Sequence, residues 1–305
     1  MATIPNIQSG PWANAQHTTV SSSCSLQLGN WSCSQLLHDN GRHCIYAARP
    51  HHRPHNWPLD YVVKVLHQKL ETNQFVVKSL QREAAIGSQL ANSHLAPVIT
   101  AQLTTPPFYI VYPRLPGTSL CSILDNNRLL PCTVALWVAR QTSEALQRLH
   151  QAKWLHGDLK PDNIFVSPNG HVTLLDLGAI QPIGDSGHIA DEPFMSTLHY
   201  TAPECYHSRL TTDVRSDIYS VGVILFECLT GFKPFDGVTT AEIVDAHRRK
   251  PAPDLRRVMP SLPPRMVELV QCMLAKNPLR RPHTTETLIR RLVSLEIDTL
   301  ADHAA

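Results

Sequence analysis

The chain has 305 residues, 43% of them hydrophobic, and carries 27 Lys and Arg against 25 Asp and Glu. That length holds one large domain or two lobes and buries a sizeable core. A formal charge of +2 gives no electrostatic mandate for nucleic acid or an anionic membrane, and neither is expected as a partner. The eight cysteines show no C-x-x-C pair or metal-ligand rhythm, so they read as reduced thiols of a cytoplasmic protein. Met1 to Gly10 has neither a basic n-region nor an apolar h-region, so no secretory signal is expected.

Residues 1–28 are rich in Ser, Thr, Asn and Gln with little periodicity, and predict a flexible tail. From Trp31 short strand patterns begin. Ser34 to Leu37 and Cys44 to Arg49 flank the turn residues His38 to His43. A proline-studded loop follows, whose His51, His52 and His55 read as solvated side chains. Tyr61 to Leu66 alternates as a strand with one inward lysine, Lys64. Phe75 to Leu90 has helical spacing, with Val76, Leu80, Ala84 and Gly87 in one row and Glu83 inside it. Gly87 is small for such a row, so the helix is expected to be loosely held there.

Val98 to Leu103 and Phe108 to Tyr112 read as a strand pair around Pro106-Pro107. Pro131 opens a helix that runs through Thr133 to Gln151. Further on, the longest apolar run, Ile218 to Leu229, contains Glu227. It is too short to span a bilayer and suits a buried helix, so no membrane segment is expected in this chain.

The chemistry concentrates in His156-Gly157-Asp158-Leu159-Lys160-Pro161-Asp162-Asn163 and in Asp176-Leu177-Gly178. Ile164 to Val166 and Val172 to Leu175, joined by Ser167-Pro168-Asn169-Gly170, predict a β-hairpin that brings Asn163 and Asp176 to one open end. Oxygen ligands of this kind suit Mg²⁺, which takes one or two from protein and others from phosphate. Asp158 is left to orient and deprotonate a hydroxyl, and Lys160 to neutralise a phosphoryl group in transit.

The combined H-x-D-L-K-P-x-N and D-x-G resembles the catalytic and magnesium loops of the Hanks-type serine/threonine protein kinase family. The resemblance runs from about Trp31 to Leu295. It implies an α+β bilobal fold, with a small antiparallel β-sheet N-lobe carrying helix C and a larger, mainly helical C-lobe. The implied boundaries are a tail at 1–28, the N-lobe and hinge at 29–116, the C-lobe at 117–297 and a C-terminal tail at 298–305.

The implied activity is transfer of the γ-phosphate of Mg-ATP to protein Ser/Thr hydroxyls, autophosphorylation included, with ATP and Mg²⁺ as cofactors and proteins as substrates. By the same resemblance Asp158, Lys160 and Asn163 are catalytic, and Asn163 and Asp176 hold the metal. Lys64 holds the nucleotide phosphates and pairs with Glu83, the helix-C acid. Ile45, Val62, Leu115 of the hinge segment Pro113 to Gly117, and Phe165 contact the nucleotide, while Tyr112 guards the inner pocket. Thr201 positions Asp158 and Lys160, Glu204 pairs with Arg281, and Asp217 anchors the catalytic loop.

Two departures from the family pattern stand out. His38, Asn40 and His43 occupy the three positions of the phosphate-loop glycines, whose role is close backbone approach to phosphate. Gly157 replaces the arginine that receives an activation-segment phosphate, which implies activity independent of phosphorylation at Ser186, Ser196 or Thr197. Two alternatives share parts of the pattern. A pseudokinase scaffold fits the missing glycines but has no need of Lys64, Glu83, Asp158, Asn163 and Asp176 together. A small-molecule phosphotransferase shares His-Gly-Asp, but generally lacks Lys160-Pro161, the Ala202-Pro203-Glu204 closure and Arg281.

Overall fold

The computed structural model describes residues 23–90, 92–127, 129–184, 198–206 and 212–302. Backbone contacts divide them into two units. One holds residues 23–116 and Asp176–Gly178, the other Gly117–Leu175 and the described residues after Gly178.

The first unit is built on a six-stranded antiparallel sheet. Its strands are β1 (Ser23–Leu28), β2 (Trp31–Asp39), β3 (His43–Pro50), β4 (Tyr61–Leu66), β5 (Thr100–Gln102) and β6 (Tyr109–Pro113), in the order β1-β2-β3-β4-β6-β5. Successive side chains of a pleated strand alternate faces, so register decides which residues meet. Lys64 lies opposite Ile45 on one side and Ile110 on the other, and Val62 lies opposite Ala47 and Tyr112. These six residues therefore share a face. On the reverse face Leu28, Cys33, Ala48, Val63, Val65, Tyr109 and Val111 form one buried apolar cluster.

Helix α1 (Gln74–Gln89) covers part of the first face. The Asn73 side chain caps it by accepting from Phe75 and Val76 N–H, satisfying two donors that the helix leaves unpaired. Val76, Leu80 and Ala84 pack against Leu66, Phe108 and Ile110. Glu83 is thereby buried within the unit.

Three expectations are corrected. Residues 23–28 are not tail but the edge strand β1, joined to β2 through Gly29-Asn30 and paired in register Leu26 to Cys33 and Leu28 to Trp31. Leu26 and Leu28 alternate with polar neighbours, a short strand signal masked by the serines before it. Residues 1–22 lie outside the described residues. Gly87 does not loosen α1: a Cβ there would stand 2.6 Å from Val98 Cγ2, so the missing side chain is what lets Val98 pack onto the helix. At the other end of the chain, 298–302 continue a helix, and Thr299 is buried with its hydroxyl donating to Leu295 C=O at 2.9 Å.

The second unit is mainly helical. A short β7 (Thr118–Ser119) and α2 (Leu120–Asn127) lead to α3 (Cys132–Gln151), which opens after Pro131 and delivers the chain to β8 (Trp154–Leu155). A hairpin of β9 (Ile164–Val166) and β10 (Val172–Leu174) follows, with β7 added to it, and β11 (Gln181–Pro182) pairs with β8. Helix α4 (Val214–Thr230) is buried on nearly every side, which explains why its sequence is apolar without a polar face. The unit is completed by α5 (Thr240–Arg249), α6 (Leu255–Val258), α7 (Pro264–Met273) and α8 (Thr285–Asp302).

One ion pair ties three distant segments of this unit together. The fully buried Arg281 guanidinium forks onto both Glu204 carboxylate oxygens, at 2.6 and 2.9 Å, and donates to the carbonyls of Arg215 and Ala275. Tyr219 stacks beneath it at 4.6 Å. Removing one partner strands the other as an unpaired buried charge, at a cost of about 3–5 kcal/mol. Arg281→Met is therefore expected to lower the stability of this unit by about that much, read as a shift of the urea midpoint. A loss under about 1 kcal/mol contradicts the assignment.

Candidate active site

The first unit assembles a cation between two anions. Strand β4 presents Lys64 on the face covered by α1, and α1 presents Glu83 to it. Lys64 Nζ donates to Glu83 Oε1 and Oε2 at 3.0 and 2.8 Å, and to Asp176 Oδ1 at 2.8 Å. Tyr112, on the same sheet face, adds its hydroxyl to Glu83 Oε1 at 2.7 Å. Burial by itself pulls the Lys64 ammonium down, but Asp176 and Glu83 outweigh it and its pKa is raised. Burial pushes Glu83 up, against the Lys64 ammonium. Asp176 goes down: burial opposes ionisation, and Lys64 overcomes it.

Asp176 has φ +56°, a left-handed backbone uncommon for a side-chain-bearing residue. Its carboxylate also accepts from Gly178 N–H at 3.1 Å, while the Gly178 carbonyl accepts from the Ser79 hydroxyl of α1. The Asp-x-Gly segment is thus fastened to the helix that carries Glu83.

The turn at the phosphate-loop position is held by the side chains of Asp39 and Asn40, with Gly41 alone in a left-handed conformation at φ +75°. Asn40 Oδ1 accepts from Arg42 and His43 N–H at 3.0 and 2.8 Å, and Asp39 Oδ1 from Gly41 N–H at 2.8 Å. His38 ends up beside the turn, opposite Ile45. His43 is buried, and its Nε2 has no hydrogen-bond partner among the described residues. Burial, reinforced by Lys64, depresses its pKa to about 3, so it is neutral. The sequence flagged His43 as a departure, but not its burial beside the lysine.

The second unit holds the loop between β8 and β9. Its organiser is Asp217 in the first turn of α4, which accepts from His156 N–H at 2.9 Å, Gly157 N–H at 3.2 Å and the His150 ring at 2.8 Å. Burial alone would raise the Asp217 pKa; the bonds from His150 and His156 reverse the sign and hold it low. Gly157 has φ +78°, and a Cβ would meet the Ala179 carbonyl oxygen at 2.6 Å. A glycine relieves both the conformation and the contact.

Beyond Gly157, Lys160 Nζ lies 2.7 Å from Asp158 Oδ2, and Asn163 Nδ2 donates to the Asp158 carbonyl at 2.8 Å. Leu175, one residue before Asp176, donates to the Asn163 carbonyl at 2.8 Å. Asn163 Oδ1 accepts no hydrogen bond among the described residues. Hard cations prefer oxygens of this kind.

The remaining sequence-predicted residues fall as follows. Ile45 and Val62 are half-buried on the Lys64 face. Leu115 is half-buried in the segment after β6, and Phe165 is half-buried in β9 opposite Thr173 and Ser119. Thr201 is buried, with its hydroxyl hydrogen-bonded to Tyr206. Ser186, Ser196 and Thr197 lie outside the described residues.

The family model for the protein kinase domain matches residues 55–293. The chain therefore belongs to the protein kinase domain family. It is similar to a probable serine/threonine-protein kinase, CPE1738, of Clostridium perfringens, with 28% identity over 89% of this chain and 39% of the relative. Serine/threonine-protein kinase PrkC of Bacillus subtilis is 28% identical over 75% of this chain and 35% of its own length. PknA of Mycobacterium tuberculosis is 31% identical over 72% of this chain and 51% of its own. The chain thus spans from about a third to a half of these relatives. No helix among the described residues is long and apolar enough to cross a membrane.

The Asp217 carboxyl sits below its ordinary value when folded, so its stabilisation is complete above the unfolded value of about 4. It is lost as pH falls through the lower folded value. The Tm difference between wild type and Asp217→Asn is expected to be largest near neutral pH and to shrink below about pH 4. A difference that stays constant down to about pH 2 contradicts this account.

Proposed function

We propose that the chain is a serine/threonine protein kinase unit that transfers the γ-phosphoryl group of ATP to protein hydroxyls, its own included. One observation carries the reading: the buried Lys64 ammonium bonded to both Glu83 and Asp176 at 2.8 Å. A scaffold has no physical need for so costly an arrangement. The names of the bacterial relatives support the same activity.

In this reading Lys64 leaves part of its bonding to Asp176 and engages the α- and β-phosphates, with Glu83 and Tyr112 keeping it aimed. Leu115 offers backbone N–H and C=O to adenine, and Ile45, Val62 and Phe165 contact its ring. Asp158 orients the acceptor hydroxyl and takes its proton, while Lys160 neutralises the phosphoryl oxygens as they move. Asn163 Oδ1 and the Asp176 carboxylate are the proposed Mg²⁺ ligands; bound Mg²⁺ supplies charge neutralisation on the phosphate oxygens. Asp217 holds the backbone of His156 and Gly157, Thr201 positions Asp158 and Lys160, and the Glu204–Arg281 pair fixes the end of the activation segment. The eight cysteines, without a C-x-x-C pair, fit a reducing, cytoplasmic setting.

Purified protein incubated with Mg²⁺, γ-labelled ATP and a generic basic protein is expected to transfer label. Asp158→Asn is expected to lower kcat by about 10²-fold or more while Mg-ATP still raises the Tm. Equal transfer by wild type and Asp158→Asn contradicts the assignment, and absence of both transfer and a Tm shift in wild type favours the pseudokinase. Because Gly157 offers no receiver for a phosphate, combined replacement of Ser186, Ser196 and Thr197 by Ala is expected to keep kcat within about tenfold of wild type. A larger loss contradicts phosphorylation-independent activity.

A further inference from the structure

We propose that Asp39, Cys44 and His67 form a binding site for a thiophilic divalent cation, Zn²⁺ foremost, on the first unit. The site is separate from the Mg²⁺ ligands and independent of the kinase reading. Three neighbouring strands build it. Asp39 ends β2, Cys44 lies directly opposite it in β3, and His67 immediately follows β4. Their ligand atoms all lie within 4.8 Å of one another. Cys44 Sγ is 3.4 Å from His67 Nε2, and His67 Nε2 is 2.8 Å from Asp39 Oδ1.

Those spacings can be compared with a tetrahedral ion. Usual Zn–S, Zn–N and Zn–O lengths put neighbouring ligand atoms about 3.4–3.6 Å apart. The thiol–imidazole distance already fits. The carboxylate has to retreat by about 0.6 Å, and Asp39 is the most exposed of the three, its side chain 43% accessible at the end of the hairpin. Cys44 is also hydrogen-bonded to the Asp39 carboxylate, so thiol, imidazole and carboxylate already converge on one point, as the ligands of a single ion must.

The donor set decides the metal class. Mg²⁺ prefers oxygens and binds thiolates poorly, whereas sulfur, imidazole and carboxylate together suit Zn²⁺. Three protein ligands leave the fourth position to water. On binding, the Cys44 thiol gives its proton to solvent. His67 coordinates through Nε2 with its proton on Nδ1, and its bond to Asp39 is exchanged for two bonds to the ion.

The surrounding backbone is already in place. His67 N–H donates to Arg42 C=O at 2.9 Å, and the Asn40 side chain holds the turn as described above. The ion therefore has little chain to order. It would staple the turn at residues 40–43 to the end of the strand that carries Lys64, taking over a fastening that loop glycines do not provide.

The test uses the full chain, stripped of metal by a chelator. Titration with Co²⁺ is expected to give a thiolate-to-metal charge-transfer band at one equivalent, and Zn²⁺ to displace it and raise the Tm. Cys44→Ser should abolish the band, and His67→Gln and Asp39→Asn should each weaken binding by about tenfold or more. Circular dichroism confirms that each variant is folded; His67→Gln, at a half-exposed position outside the strands, carries the test if Cys44→Ser is not. Absence of the band in wild type, or a band and affinity unchanged in His67→Gln, overturns the proposal. Mg²⁺ is expected to produce neither the band nor the displacement.

Discussion

A buried ammonium without anions is among the costliest things a fold can contain, and Lys64 is buried. At close range in a partly dry interior each carboxylate is worth several times what it is in water. Glu83 and Asp176 together outweigh the desolvation. Much of the first unit follows from keeping them there. The register of β3, β4 and β6 puts Lys64 on the face that α1 covers. Asn73 fixes where α1 begins, and the apolar row Val76, Leu80, Ala84 fixes which way Glu83 points. Gly87 lets Val98 close against the helix. The Ser79–Gly178 bond holds the Asp-x-Gly segment to the same helix. A lysine so placed has its ammonium held in one position by two carboxylates.

The second unit repeats the strategy with the opposite sign. Asp217 is a buried carboxylate that takes two backbone N–H groups and the His150 ring, and His150 is in turn bonded to the Thr285 hydroxyl at 3.1 Å. That chain of bonds runs from α3 through α4 to the start of α8, and its product is a fixed backbone at His156 and Gly157. Asp158, Lys160 and Asn163 then inherit their positions from a loop that has little freedom left. Preorganisation of this kind is what phosphoryl transfer asks of a protein, since positioning and charge neutralisation do most of the work.

The chemistry-bearing residues were legible because their spacing is local and their types are unusual: Asp158, Lys160 and Asn163 within one turn-rich stretch, and a lone lysine in an alternating strand. Glu83 and Arg281 were legible only through resemblance, because nothing local says which acid a distant base will meet. What stayed hidden is long-range or subtle. The β1 strand is a weak alternation behind a serine run, and Gly87 looked like a gap because Val98 is distant in sequence. The burial of His43 is visible only once β3 pairs with β4. The Asp39–Cys44–His67 cluster depends on registers across three strands; in sequence its members are unremarkable loop and strand residues. Register is a property of the whole sheet, which is why local pattern cannot supply it.

The central claim is that Lys64 and Glu83 act as one unit, the acid mattering only because it aims the base. A double-mutant cycle with Lys64→Met, Glu83→Gln and the pair, read as kcat/KM for phosphoryl transfer, tests it most directly. The account predicts strong non-additivity: with Lys64 gone, the Glu83 substitution should cost no more than about threefold further. Losses that multiply independently would contradict it and leave Glu83 a buried acid with a role of its own.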